Sequence, residues 1–542
     1  MTAASPDVRS AVPAVHPLVR RRRIADLLAR VLGIGLAIGL SYEIATSIAQ
    51  PNLPLTFGLM IGIGGLATLI GNPRLEVTVT ILAVYLGCLD GPLKGFGGGG
   101  TLTAVARDVL IFAVVIGAVV RLLARPGPIR MPAMSGWMFA FISLVLVEAL
   151  NPNTQGLLKI AGGYRQQLEW VPFFFFGYAL INTRERMRKM FLILGAIALA
   201  NGIVGAIQAR LSPQQLASWG PGYAERIEGA NGVSGTTFRS EGEGHVRPVA
   251  LGSDIGFGGT VGVIALPGIL ALLAARYKRR KWVIPLLATG ALLAVATSLS
   301  RTSVLGAICA LVAFGVFSLS AGRQMLRPLA AMLVLMVIGV GVVTVLSSTE
   351  GESAFSRYAS IAPEKVATTA PSYKELSLKQ IPNDIANDPF GFGLGVSGAA
   401  ASFGGRTTVK LEGHGFSAET QYNFVMNEVG LPGLIVWIAL TFYLLWLAAT
   451  RLRTVQDIEI RIGLSAIAAV ISGLTIMGFA GAFMAGSGSG PYFWFAMGVM
   501  AYWLVGPGRF RAPEPDEDED ELPVPGPSSA PAPLNPVVAG AV

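Results

Sequence analysis

A carboxylate and two amides at four-residue spacing are the residues in this chain best placed to do chemistry. In HGFSAETQYNFVMNEVGLPGLIVWI, Glu419, Asn423 and Asn427 recur at i, i+4 and i+8. On a helix that spacing makes one polar stripe, leading toward the Gly430-Leu431-Pro432-Gly433 entry to an apolar run. Ser417 is placed to cap the helix, because its hydroxyl can accept from an early orphan N–H. Gln421 and Glu428 fall on a different face. A carboxylate above an amide ladder, at the rim of a membrane cavity, suits a sugar-binding general base. A solvated helix face with a carboxylate at its positive end would present the same pattern. His414, at the head of the stretch, joins the two amides as a candidate for holding a sugar.

Arginines supply the complementary chemistry, since the planar guanidinium grips phosphate oxygens in pairs. In SLSRTSVLG, Arg301 stands between two apolar runs. An ionisable residue at membrane depth is costly and marks a functional position by default, with interfacial snorkelling as the alternative. The hydroxyls of Ser298 and Ser300 are expected to hold its guanidinium. In GGYRQQLEWVPFFFFGY, Arg165 and Glu169 sit at i and i+4, either as part of a site or as a plain surface pair. FRSEGEGHVRPVALGSD adds Arg239, His245 and Arg247 just before an apolar run. Several arginines on one face make a pyrophosphate site.

The elements that must position these residues are membrane helices. The chain is 52% hydrophobic and 13% charged over 542 residues, with a mean hydropathy of +0.60. So few charges could not cover a soluble surface, and apolar runs of roughly 18–23 residues recur along most of the length. The 67 glycines suit close helix packing in lipid. Cys88 and Cys309 both lie in apolar runs, too few for a disulfide framework or a metal site. The expected fold is an all-α polytopic membrane protein with about fourteen transmembrane helices. The expected spans are 28–48, 54–71, 74–90, 104–121, 132–150, 169–182, 187–208, 252–275, 282–299, 302–320, 328–347, 430–449, 462–483 and 489–507.

The net charge of +9 reads as topology rather than as nucleic-acid binding. With the N-terminus in the cytoplasm, 26 of the 41 Lys and Arg fall in the short inner loops, as the positive-inside rule requires. Both termini are then cytoplasmic, and the basic arm 1–27 reads as an anchor flank rather than a cleaved signal. Membrane helices fill 28–208, 252–347 and 430–507. Two large extracytoplasmic loops, 209–251 and 348–429, are too long for mere connectors. The tail 508–542 is acidic from Glu514 to Glu521, then Pro- and Ala-rich, and reads as disordered. Polar chemistry thus gathers on the outer side. The inner loops hold no phosphate-cradling glycine motif and no acidic metal cluster, so neither a nucleotide nor a metal cofactor is expected.

The pattern resembles the O-antigen ligase and Wzy-type polysaccharide polymerase family, integral glycosyltransferases of the GT-C class. The resemblance covers roughly residues 160–450. The family's S/T-x-S-R segment looks like Ser298-Leu299-Ser300-Arg301, and its P-x-G-x-G turn looks like Pro389 to Gly395. Its H-[NSQ]-x9-G-x-x-G signature aligns with Glu419-Thr420, nine residues, then Gly430 and Gly433. Its E-x-G aligns with Glu428 and Gly430. Two positions depart: Glu419 stands where the ligases have histidine, and Lys374 where an arginine is common.

The resemblance implies a polyprenyl-diphosphate-linked glycan as donor and the outer face of a bacterial cytoplasmic membrane as the place of reaction. It further implies membrane lipid and polysaccharide chain-length or export proteins as partners, with no nucleic acid. Arg301, Arg247, Arg239, Arg165 and Lys374 would face the diphosphate and Glu419 would take a proton from the acceptor. Glutamate at that position favours a polymerase of repeat units over a ligase using a separate acceptor. A transporter or flippase is the reading from another class. An enzyme should carry an outward cavity under the second large loop, and a carrier a midplane site between repeats.

Overall fold

A computed structural model describes residues 70–511 apart from 73, 98–100, 126–128, 153, 155, 229–239, 242–244, 276–281, 320–371, 399 and 401–419. In chain order its helices are α1 (Leu75–Gly97), α2 (Thr101–Ala124), α3 (Ser135–Val147), α4 (Leu157–Leu168), α5 (Pro172–Leu180), α6 (Arg184–Gln208), α7 (Pro213–Ala217), α8 (Pro221–Glu228), α9 (Phe257–Ala274), α10 (Val283–Thr297), α11 (Arg301–Ser318), α12 (Ser372–Asn387), α13 (Gln421–Arg451), α14 (Ile458–Met477) and α15 (Gly490–Leu504). Six of them, α1, α6, α9, α11, α13 and α14, are long and apolar enough to cross a membrane. This is an α-helical membrane protein. A two-residue antiparallel pair, Ser240–Glu241 with His245–Val246, lies between α8 and α9.

Helices fall on most of the expected apolar runs within the described residues, while 28–48, 328–347 and all but the last two residues of 54–71 lie outside them. Two runs differ in kind. At 169–182 the helix is α5, whose nine residues span only about 14 Å against a hydrocarbon core of about 30 Å. Pro172 at its start favours a fresh helix over a continuation of α4, and the stretch between the expected spans 132–150 and 169–182 is itself largely helical. The run expected at 430–449 begins nine residues early, at Gln421. Its first part is a separate segment, because Gly430 takes φ 68° and ψ −172° inside α13. Only glycine adopts that backbone easily, and Pro432 has no N–H to continue the ladder across it.

The core centres on α9, whose apolar window is 89% buried, against 39% for α1, α6 and α11. Those three face their surroundings on one side; α9 packs against α6, α10, α11 and α14. Small residues permit the close approaches that lipid does not drive. A Cβ on Gly473 would stand 3.0 Å from the Gly306 carbonyl, and Gly177 and Gly498 lie against the carbonyls of Phe495 and Phe174 where α5 meets α15. Phe112, Val316, Phe442 and Trp446 are exposed on outward faces, as lipid-facing side chains are. Cys88 and Cys309 are free and partly buried.

Polar contacts sort to two opposite ends of the helices. At one, Arg184 donates to Asp457 (2.8 Å) and Arg188 to Glu459 (2.6 Å), tying α6 to α14. Arg451 donates to the Leu504 carbonyl there. The other end holds the loops around 148–156, 247–256, 389–398 and 478–489, and every candidate site residue that is described.

Candidate functional site

The loop Pro389–Gly395 coils because Gly391, Gly393 and Gly395 all adopt left-handed backbone, with φ of 84°, 91° and 73°. Alternating such residues turns Phe392 and Leu394 inward, where both are buried. The loop is pinned on two sides. Phe392 N–H donates to the Asn427 carbonyl (2.7 Å) and Leu431 N–H to the Pro389 carbonyl (2.8 Å), across the Gly430 kink. From the other side Asn151 donates to the Gly391 carbonyl, Thr154 Oγ1 accepts from Leu394 N–H, and Gln166 donates to the Ser397 carbonyl.

Glu428 is the residue around which this loop closes. Its carboxylate is fully buried, accepting from Gln167 Nε2 at 2.9 Å and from Ser397 N–H at 3.3 Å. No cation is paired with it among the described residues. The polar segment beside it is not a solvated face: Gln421, Asn423 and Asn427 are buried too. Asn423 Oδ1 accepts from Thr420 Oγ1 at 2.6 Å, and Thr420, not Ser417, caps α13 by accepting from Asn423 N–H. Gln421 N–H donates to the Gly478 carbonyl and its Oε1 accepts from Met484 N–H. The amide ladder is therefore roofed by the glycine loop and by 478–484. Asn427 Oδ1 has no hydrogen-bond partner among the described residues. Glu419 and His414 lie outside the described residues.

A second cluster joins α2 to the α4–α5 turn. Arg165 pairs with Asp108 at 2.9 Å, and its expected partner Glu169 is farther, at 3.9 Å. Glu169 instead receives Arg107 at 3.2 Å, whose guanidinium also lies 5.4 Å from the centre of the Trp170 ring. Asp90 and Lys94 form a further pair at 2.7 Å on α1. Three cations thus pair with three carboxylates, and Asp254 lies near enough to act on Lys94 and Arg107 as well. Above it α8 closes the end of α1, with Tyr223 edge-on to Phe96; burial pushes the Tyr223 hydroxyl up from its ordinary value.

Arg301 opens α11 with its side chain exposed and, among the described residues, no hydrogen bond or ion pair. Ser298 and Ser300 do not hold its guanidinium, as the sequence suggested. Ser298 Oγ donates to the Val295 carbonyl, and Ser300 Oγ caps the helix by accepting from Ser303 N–H. Leu299 between them has φ 50°, a strained left-handed turn. The Arg247 segment adjoins this turn through Gly256: Gly256 N–H bonds the Pro248 carbonyl, and a Cβ on Gly256 would stand 3.2 Å from Ser300 Cβ. Two amides of α6 hold that segment. Gln208 clamps Ala250 through both its N–H and its carbonyl, and Asn201 accepts from Leu251 N–H.

The structure thus brings Arg247 and Arg301 to adjacent turns and gives Arg165 a carboxylate of its own. Lys374 lies on α12, where only the backbone is described; Arg239 lies outside the described residues. Asn201, Gln208, Arg107 and Asp108 escaped the sequence reading, and Glu428 entered it only as a motif residue off the polar stripe. Asn and Gln seven residues apart in an apolar helix were the available signal for the first two. Among the described residues no group of three or more His, Cys, Asp or Glu side chains could hold a metal ion. An apolar cavity opens between α1 and α6, away from this end. No protein-family model, curated protein or solved structure matches the chain.

Proposed function

We propose that this protein is a membrane glycosyltransferase that polymerises polyprenyl-diphosphate-linked oligosaccharide repeat units at the outer face of a bacterial cytoplasmic membrane. The observation that carries the reading is Arg301. At the opposite end Arg184 and Arg188 are committed to carboxylates. Arg301 is exposed on the first turn of α11, where the helix dipole adds to its charge, and Arg247 stands on the adjoining segment. This is a site for a phosphate-bearing group.

In the reaction the acceptor hydroxyl oxygen attacks the anomeric carbon of the donor glycan. The bond from that carbon to the diphosphate oxygen breaks, and its electron pair leaves with the polyprenyl diphosphate. Arg301 and Arg247, with Arg239 and Lys374 from the two long loops, stabilise that departing charge. Glu419, directly before the Thr420 cap, takes the hydroxyl proton. Arg165 acts on this scheme through its pair with Asp108, positioning α4 rather than gripping phosphate. Buried Asn423, Asn427 and Glu428 fix the segment that presents Glu419. The lipid diphosphate leaving group supplies the driving force. The test is substitution at Arg301: Ala abolishes product with protein level unchanged, and Lys rescues poorly because a point charge lacks the bidentate fork. Full activity of Arg301→Lys would make the residue an interfacial anchor.

A further inference from the structure

The crevice between α1 and α6 lies at the end away from Arg301, and its shape and charge are those of a lipid site. The two helices touch at Gly87, where a Cβ would stand 2.6 Å from Ile197 Cγ2. From there they part toward the basic end. Glu76 and Arg186 bridge the rim at 3.4 Å. The wedge between them is an open cavity of about 110 Å³. Val79, Ala83 and Leu86 line one side, Ile193 and Leu194 the other, and Phe495 the back.

Its length decides what fits. From Glu76 to Leu86 the wall runs about 15 Å along α1, half of a hydrocarbon core of about 30 Å. An apolar crevice of that depth, charged only at its rim, matches one acyl chain with its headgroup at the interface. The charged residues lining the rim are Arg186, Lys189 and Glu76, with Glu185 paired to Lys189 beside them. Arg186 is held in place there by Asn182 Oδ1 (2.9 Å) and the Leu180 carbonyl (3.3 Å). Its pair with Glu76, and that of Lys189 with Glu185, are both well exposed. Such pairs hold weakly, and a phosphate can displace them. The more buried Arg184 and Arg188 are closely bound and stay out of reach.

We propose that the wedge between α1 and α6 binds an anionic glycerophospholipid, one acyl chain lying along Val79, Ala83 and Leu194 and the headgroup phosphate at Arg186 and Lys189. A polyprenyl donor with its diphosphate at Arg301 would bring no phosphate to these two cations.

The test uses the full chain purified in detergent and offered phosphatidylglycerol, phosphatidylcholine and undecaprenyl phosphate in equal amounts. Lipid retained after washing is counted by mass spectrometry. The wild type should keep phosphatidylglycerol over phosphatidylcholine by roughly tenfold, as two interfacial cations allow. Arg186→Gln with Lys189→Gln changes only exposed or partly exposed side chains; it should keep lipid and lose the preference. Ala83→Leu, or Ala83→Trp where the protein still melts cooperatively, should lose retention of both phospholipids. An unchanged preference in the double variant, unchanged retention in Ala83→Leu, or dominant retention of undecaprenyl phosphate would each overturn the proposal.

Discussion

At the residue scale, Arg301 differs from Arg184 and Arg188 in having no carboxylate partner among the described residues. Arg184 and Asp457 are both nearly buried and closely paired, while Arg301 projects from a turn whose own hydroxyls serve the backbone. Glu419→Gln keeps shape and hydrogen bonding but cannot take a proton, so elongation should fall by about 10²–10⁴-fold while lipid-linked substrate still binds. Equal rates would remove the base assignment. Arg301→Ala should also abolish product, but through donor binding, so it should weaken lipid-linked substrate retention where Glu419→Gln does not. The arginines were legible as residues with a cost to explain. Their partners were not: Asp108 and Arg107 reach Arg165 and Glu169 from another helix, and no local spacing announces a contact between helices.

At the element scale, the glycine loop and the α13 kink form one device. Gly395 has φ 73°, and a Cβ there would stand 2.6 Å from the Lys159 carbonyl. Gly395→Ala should therefore lower the melting temperature, the left-handed backbone alone costing about 1–2 kcal/mol, and should reduce activity by displacing Ser397 from Glu428. A melt identical to wild type would detach the loop from the fold. At the basic end, Asp457→Asn keeps the cap on α14, where the side chain accepts from Glu459 and Ile460 N–H, but leaves Arg184 only the longer pair with Glu459, at 3.7 Å. Breaking a buried pair from one side costs about 3–5 kcal/mol, so this variant should melt lower than the double variant Arg184→Met, Asp457→Asn. The P-F-G-F-G-L-G pattern was readable as a turn. That Glu428 closes it was not, because helical periodicity put Glu428 off the polar stripe, whereas burial by two loops makes every polar residue of the segment an inward one.

At the scale of the whole molecule, alternation of basic and polar ends along the chain is the property on which the functional reading stands. Apolar length predicted where most helices fall, since a run long enough to cross lipid has few other stable states. It failed at α5 and at the start of α13, where Pro172 and Gly430 impose local backbone that hydropathy does not register. Sidedness has its own check. Cysteines placed at Ser356 and Ser528 of intact cells should differ in labelling by an impermeant thiol reagent, Ser356→Cys reacting and Ser528→Cys protected; equal labelling would contradict the orientation. The central claim is tested most directly by giving purified protein only polyprenyl-diphosphate-linked repeat units, with no nucleotide, and resolving the products by size. The account predicts a ladder of longer lipid-linked chains that disappears with Arg301→Ala, whereas glycans that keep their original length, or that move only to a separate acceptor, would contradict it.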